Sequence, residues 1–66
     1  MDSIAIGKRL IELRGSRTQE EVAKAVGASV SAIGMYERGE RTPRDEMKLS
    51  LAKFYDTTVQ AIFFDE

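Results

Sequence analysis

Cysteine, histidine and asparagine are absent from this 66-residue sequence, and proline occurs once. Without cysteine and histidine, disulfides, the common zinc and transition-metal sites, serine–histidine triads and cysteine–histidine pairs are excluded. Residue counting leaves serine–lysine or paired-carboxylate catalysis open, although so small a chain has little room for a pocket. We therefore expect no metal, no cofactor and no enzymatic activity.

Long apolar runs are also missing. No stretch approaches the roughly 20 apolar residues of a membrane helix, and the start Met1-Asp2-Ser3 is acidic where a signal peptide is basic. The composition, 42% hydrophobic and 32% charged, is typical of a soluble globular protein. A core this small supplies only about 3–5 kcal/mol, so tight helix packing or self-association must add to it. We expect one domain over residues 1–66, in the cytoplasm and without membrane contact.

Charge of either sign is plentiful but unevenly distributed. The net charge is −1. Residues 8–20 carry a surplus of two positive charges and residues 29–44 a surplus of one, whereas residues 45–66 carry a deficit of three. The N-terminal part of the chain is therefore basic and the C-terminal part acidic. This distribution suits a nucleic-acid binder better than the net charge does. Scattered solvated charge is the alternative interpretation.

The apolar residues recur at helical spacing, which predicts an all-α chain of five short helices. In the first helix Ser3 is the expected cap, the inward stripe is Ile6, Leu10 and Leu13, and the end is at Arg14, before a glycine. A boundary at Thr42-Pro43 follows later in the chain, with the proline suited to a first helical turn. The inward residues expected in the last two helices are Met47, Leu51, Phe54, Tyr55, Val59, Ile62 and Phe63.

Residues 18–38 have the pattern of two helices joined by a tight turn. Thr-Gln-Glu-Glu at 18–21 is a capping box, in which the threonine hydroxyl and the last glutamate satisfy each other's backbone N–H groups. Gly27 suits a left-handed helix end, Ser29 caps the next helix, and Ala23 allows a close helix crossing. The inward side chains are Val22, Val26, Ile33 and Tyr36. This combination is that of a helix-turn-helix unit.

Residues 6–63 resemble the Cro/C1-type (XRE) helix-turn-helix domain of lambdoid phage repressors and many bacterial regulators. The matching segments are IGKRLIELR (6–14), TQEEVAKAVG (18–27), SVSAI (29–33), YERGER (36–41), TPRDE (42–46) and TVQAIFF (58–64). The resemblance implies a compact five-helix lambda-repressor-like domain, encoded by a bacterium, a phage or a mobile element. It also implies a homodimer that places two recognition helices on half-sites of a near-palindromic double-stranded DNA operator, about 34–36 Å apart.

Position by position, the resemblance also implies roles for single residues. The residues it places at DNA bases or backbone are Gln19, Ser29, Val30, Ser31, Met35, Arg38 and Arg41. It pairs Arg14 with Glu37 in a salt bridge that ties the first helix to the end of the recognition helix. The link at 15–17 is shorter than the family's usual one and puts Arg17 where an apolar residue is common. Beside a helix N-terminus, that guanidinium either contacts a phosphate or is simply solvated.

The recognition helix lacks the amides and guanidiniums that usually read bases. Ser29 and Ser31 offer short hydrogen bonds, while Val30 and Met35 would pack on thymine methyl groups or, alternatively, against neighbouring helices. Gly34 would let the backbone approach the duplex closely. We expect modest direct readout, supported by phosphate contacts, a dimer clamp and DNA deformability.

The acidic rear of the chain is the expected dimer surface. Leu49 lies off the inward stripe of its helix, as Ile11 does, and the chain ends on adjacent apolar residues. The candidates for dimerisation are Leu49, Ile62, Phe63 and Phe64. The rival interpretation is that Phe63 and Phe64 cover the core.

Two functions fit the sequence. The first is a small dimeric transcriptional regulator, with repression favoured. The second is a protein-interaction module on the same fold, such as part of an antitoxin or the partner subunit of another regulator. We expect no small-molecule ligand, because no effector domain accompanies the helix-turn-helix.

Overall fold

The computed structural model describes residues 2–64, and the regular elements in that range are all helical. The elements are α1 (Ser3–Arg14), α2 (Gln19–Val26), α3 (Val30–Arg38), α4 (Asp45–Phe54) and a π-helical C-terminal turn (Gln60–Phe64). The all-α fold with five helices is therefore confirmed.

The start of α1 corrects the sequence-based expectation. Asp2, not Ser3, is the N-cap, and its Oδ1 accepts the Ile4 backbone N–H at 2.9 Å. Ser3 is the first helical residue, and its hydroxyl lies 3.2 Å from that of Thr42. A carboxylate also interacts favourably with the positive end of the helix dipole, which favours aspartate over serine here. α1 ends at Arg14 as expected, with Gly15 at φ 58°.

The helix-turn-helix forms as the sequence predicts. Thr18 caps α2 by accepting the Glu21 N–H at 3.1 Å, and Ser29 caps α3 by accepting the Ala32 N–H at 3.0 Å. The reciprocal bond expected from the Glu21 side chain is not among the hydrogen bonds of residues 2–64. Gly27 ends α2 in the left-handed conformation, with φ 75° and ψ 35°. Three residues therefore turn the chain between α2 and α3.

The start of α4 also differs from expectation. Arg44 is the N-cap, without a side-chain hydrogen bond, and the first helical residue is Asp45. Pro43 is buried and precedes the N-cap, so it does not form the first helical turn. Thr58, the expected cap of the last helix, accepts the Ala61 N–H at 3.0 Å.

All helices contribute to one apolar core. Its buried members are Ile6, Leu10, Val22, Ala23, Ile33, Tyr36, Leu51, Ala52, Tyr55, Ile62 and Phe63. Half-buried residues at its edge, all expected to face inward, are Leu13, Val26, Met47, Phe54 and Val59. None of the helices within residues 2–64 is both long and apolar enough to span a membrane.

A close crossing of α1 and α3 fixes the position of α3. Gly7 is buried against the end of α3, where an added Cβ would overlap the Glu37 carbonyl oxygen and lie 2.9 Å from the Tyr36 carbonyl oxygen. Only glycine lets the two backbones come this close. The sequence analysis missed this role, although an isolated glycine inside a helical pattern is a known signal of close packing.

Candidate nucleic-acid interface

The first turn of α3 is the most exposed part of that helix. Ser29, Val30 and Ser31 are exposed, and Val30 keeps 43% of its surface accessible. One turn later, Ile33 is buried in the core. Internal packing therefore does not account for Val30, which leaves this side chain available to an outside surface. Met35 is half-buried, so the alternative of packing against the protein applies to it in part.

Gly34 is less open than the sequence suggests. The residue is buried, and the Arg38 side chain covers it. A Cβ on Gly34 would lie 2.8 Å from Arg38 Nη1. The expected close approach of DNA to the Gly34 backbone therefore requires the arginine to move first.

Two arginines lie at the end of α3 and beyond it. Arg38 Nε donates to Glu40 Oε2 at 2.8 Å, and Arg38 Nη2 donates to Glu40 Oε1 at 3.3 Å. The Arg38 guanidinium lowers the pKa of Glu40 by hydrogen bonding, and the carboxylate raises the pKa of Arg38 in the same way. Arg41 is exposed and pairs with no residue between 2 and 64. One of the two arginines thus has an acceptor inside the protein.

A partly buried ion pair holds α3 against its neighbours. Arg14 of α1 donates to Glu37 of α3 through Nε at 2.7 Å and through Nη2 at 3.1 Å. Glu37 is only 6% exposed. Its hydrogen bond raises the pKa of Arg14. The pair is structural, in the role that the family resemblance implies for it.

Gln19 joins this ion pair. Its Nε2 donates to Glu37 Oε1 at 2.8 Å, so α1, α2 and α3 meet at one carboxylate. An amide nitrogen carries two hydrogens, which leaves one for a phosphate oxygen. Gln19 is half-buried at the first turn of α2. Its predicted DNA contact stays a prediction, now alongside a structural role that the sequence did not reveal.

Arg17 is exposed but not simply solvated, and its predicted phosphate contact stays a prediction. Its Nη1 donates to the Leu13 carbonyl oxygen at 3.1 Å. The guanidinium carbon lies 5.3 Å from the Phe54 ring centre and 5.8 Å from that of Tyr55, which is cation–π geometry. In the free protein Arg17 thus lies against the aromatic rings at the end of α4 while it stays exposed to solvent. A phosphate contact would compete with this packing.

The expected dimer residues separate into two groups. Ile62 and Phe63 are each 1% exposed, so they are corrected to core residues that cannot touch a partner directly. Leu49 and Phe64 remain 62% and 54% exposed. We call these two residues the rear apolar pair. They line a shallow groove of about 250 Å³ whose other lining residues are Asp45, Lys48 and Val59.

Lys48 is packed at this groove. Its Nζ lies 5.1 Å from the Phe64 ring centre and 5.7 Å from that of Phe63, and it is 3.9 Å from Asp45 Oδ1. The rear of the chain therefore offers apolar surface beside one charge of each sign. Nowhere in residues 2–64 do acidic side chains gather in groups of three or more that could hold a metal ion.

Comparison with known proteins agrees with this geometry. A helix-turn-helix family model matches residues 8–62, which include the whole 18–38 unit. Among solved structures, the chain is similar to the restriction-modification controller protein C.AhdI from Aeromonas hydrophila. The sequences are 34% identical, the match covers 94% of this chain and 97% of that one, and the TM-score is 0.85. No curated protein sequence matches the chain.

Proposed function

Because the chain belongs to the Cro/C1-type (XRE) helix-turn-helix family, we propose that it represses transcription as a homodimer bound to a near-palindromic operator. The observation that carries the proposal is the exposure of Ser29, Val30 and Ser31 on a helix whose other end is buried. A helix held in this way keeps its position when it enters a groove. The proposed role is binding, in the cytoplasm, and not catalysis.

In the proposed complex the first turn of α3 lies in the major groove. The hydroxyls of Ser29 and Ser31 are within reach of base edges, and the methyl groups of Val30 would contact thymine. Arg38 and Arg41 would lie along the phosphates on one side, because Arg38 ends α3 and Arg41 follows it closely. With no bidentate base contact, sequence preference is modest per half-site. Affinity then depends on phosphates and falls with salt.

A dimer is proposed because one nine-residue helix contacts too few base pairs for a specific site. The rear apolar pair, Leu49 and Phe64, supports this, since both side chains stay exposed in the monomer. Burying both side chains against a second copy would remove apolar surface from water, which favours association. Leu49→Lys and Phe64→Glu should therefore weaken dimerisation in sedimentation experiments. Ile11→Lys is the matched control, because Ile11 is 45% exposed on α1.

The likeness to C.AhdI, a restriction-modification controller, supports a role for this chain as a controller of that kind. A regulator of this kind would act on genes beside its own, and we propose that the operator lies upstream of its own gene. A neighbouring methyltransferase or endonuclease gene would support the controller role. A neighbouring toxin gene would instead favour the antitoxin-like alternative.

The test is a fluorescence anisotropy titration of the full chain against a duplex from its own upstream region and a shuffled duplex. We expect tighter binding to the upstream duplex and a steep loss of affinity with salt. Equal binding to both duplexes, or a flat salt dependence, would contradict the proposal. A protein partner captured in equal stoichiometry, and not displaced by the duplex, would favour the protein-interaction module.

A further inference from the structure

The turn that ends α3 brings Glu40 back towards the helix. Gly39 has φ 75°, and its N–H donates to the carbonyl oxygen of Tyr36 at 3.2 Å. The next N–H, of Glu40, donates to the carbonyl oxygen of Met35 at 2.9 Å. These bonds close the helix end in a Schellman-type turn. The backbone of Glu40 is therefore held in place, beside the last turn of α3.

From this position the Glu40 carboxylate meets Arg38 along two bonds. Its oxygens accept from Arg38 Nε at 2.8 Å and from Nη2 at 3.3 Å. A phosphate group is bound by guanidinium through the same pair of parallel bonds. The carboxylate therefore occupies two of the five N–H donors that Arg38 could present to a DNA backbone, those of one bidentate edge.

Gly34 supplies the space for this arrangement. The guanidinium lies across its Cα, where any side chain would meet Nη1 at 2.8 Å. The neighbouring atom is the far end of a flexible side chain, so an alanine at this position would displace the arginine at little cost. Glycine at position 34 and glutamate at position 40 together keep Arg38 folded along α3.

We propose that Glu40 is an affinity-determining residue, which occupies the Arg38 guanidinium in the free protein and must release it when DNA binds. This inference rests on the proposed function, since it takes the DNA phosphate as the competing acceptor. An exposed ion pair of this kind contributes little, so its removal should raise DNA affinity about two- to five-fold.

The test is a double-mutant cycle in the anisotropy assay, with wild type, Glu40→Gln, Arg38→Gln and the double variant. We expect Glu40→Gln to tighten binding in the presence of Arg38 and to have a smaller effect in the Arg38→Gln background. Glu20→Gln is the matched control for general charge, because Glu20 is an exposed carboxylate of α2. In the Glu40→Gln background, Arg38→Gln should also reduce the slope of log affinity against log salt by about 0.9.

Each contrary result has a distinct meaning. An equal effect of Glu40→Gln in both backgrounds, or an effect matched by Glu20→Gln, would overturn the inference and leave the proposed function standing. A chain that binds no duplex would overturn the proposed function, and this inference with it.

A measurement without DNA is the Arg38 Hε signal in NMR, whose hydrogen should exchange with solvent more slowly than that of Arg41. Equal exchange rates, or no change in Glu40→Gln, would show that the pair does not hold Arg38.

Discussion

The two ends of α3 differ in almost every respect. Near its C-terminal end, Tyr36 and Glu37 are buried, and Gly7 of α1 lies against their backbone. At its N-terminal end, Val30 and Ser31 are exposed and no described helix covers them. The buried end holds the helix in the fold, and the exposed end carries the side chains proposed to contact DNA. Val30 and Ser31 can therefore be varied at little cost in folding, whereas Ser29 caps the helix.

Gly7→Ala should have the largest effect on this arrangement. The added Cβ would overlap the Glu37 carbonyl oxygen, and a backbone atom cannot move aside as a side chain can. We expect the free energy of unfolding to fall by about 3 kcal/mol, which is at the upper end of the cost of overpacking a core. That is most of the stability of so small a domain. Urea unfolding followed by circular dichroism measures it.

Gly34→Ala is the matched control, because it makes the same substitution in another helix. There the added Cβ meets only the end of the Arg38 side chain. Alanine also has a higher helix propensity than glycine, so the free energy of unfolding of this variant should rise by about 1 kcal/mol. Equal changes in both variants would mean that the crossing of α1 and α3 is looser than the structure indicates.

Glu37→Ala should have the second largest effect. Its removal leaves Arg14 and Gln19 without their shared acceptor inside the structure. Breaking a fully buried ion pair lowers the free energy of unfolding by about 3–5 kcal/mol. We expect a decrease of about 2 kcal/mol here, because the Arg14 side chain is partly exposed. Unfolding in urea again measures the loss. Glu40→Gln is the control and should shift the unfolding midpoint much less than Glu37→Ala, since its pair with Arg38 lies in solvent.

The sequence predicted the features of this fold that local signals determine. Gly27 ends α2 in the left-handed conformation, Thr18 caps α2 and Ser29 caps α3. Each of these signals acts within a few residues of the chain, so their pattern could be read directly. The error at Ser3 arose because two capping residues stand side by side and only the three-dimensional structure distinguishes them.

Contacts between distant residues were harder to predict. The family resemblance implied the pair of Arg14 and Glu37, but Gln19 joins the same carboxylate without any local signal. Arg17 packs over Phe54, 37 positions away in the chain, because α2, which begins just after Arg17, packs against α4. In the same way, the exposure of the side chains in the π-helical turn depends on how that turn packs against the core. None of these geometries has a sequence period that indicates it.

Val30→Ala should change function and leave the fold intact. The side chain is exposed at the first turn of α3, so we expect a stability change within about 0.5 kcal/mol. Loss of its methyl contacts with thymine should weaken operator binding by about 1 kcal/mol, or roughly five-fold. Anisotropy titration measures the affinity and urea unfolding the stability. Ile11→Ala, at a similar exposure on α1, should change neither quantity. A large loss of stability in Val30→Ala would contradict the division of α3 into two ends.

Tyr55→Phe should have the smallest effect on stability. It is a test, made without DNA, of how well the buried end of α3 excludes solvent. Burial raises the pKa of Tyr55, and the negative charge of Glu37 raises it further. The folded protein thus holds the phenol proton more tightly than the unfolded chain, whose tyrosine titrates near 10. The resulting stability is present below about pH 10 and is lost as the pH rises through the folded-state pKa. Melting temperatures from pH 8 to 11.5 should therefore fall less steeply in Tyr55→Phe than in wild type. An identical fall in both proteins would mean that Tyr55 is more solvated, and the buried end of α3 more open, than the structure indicates.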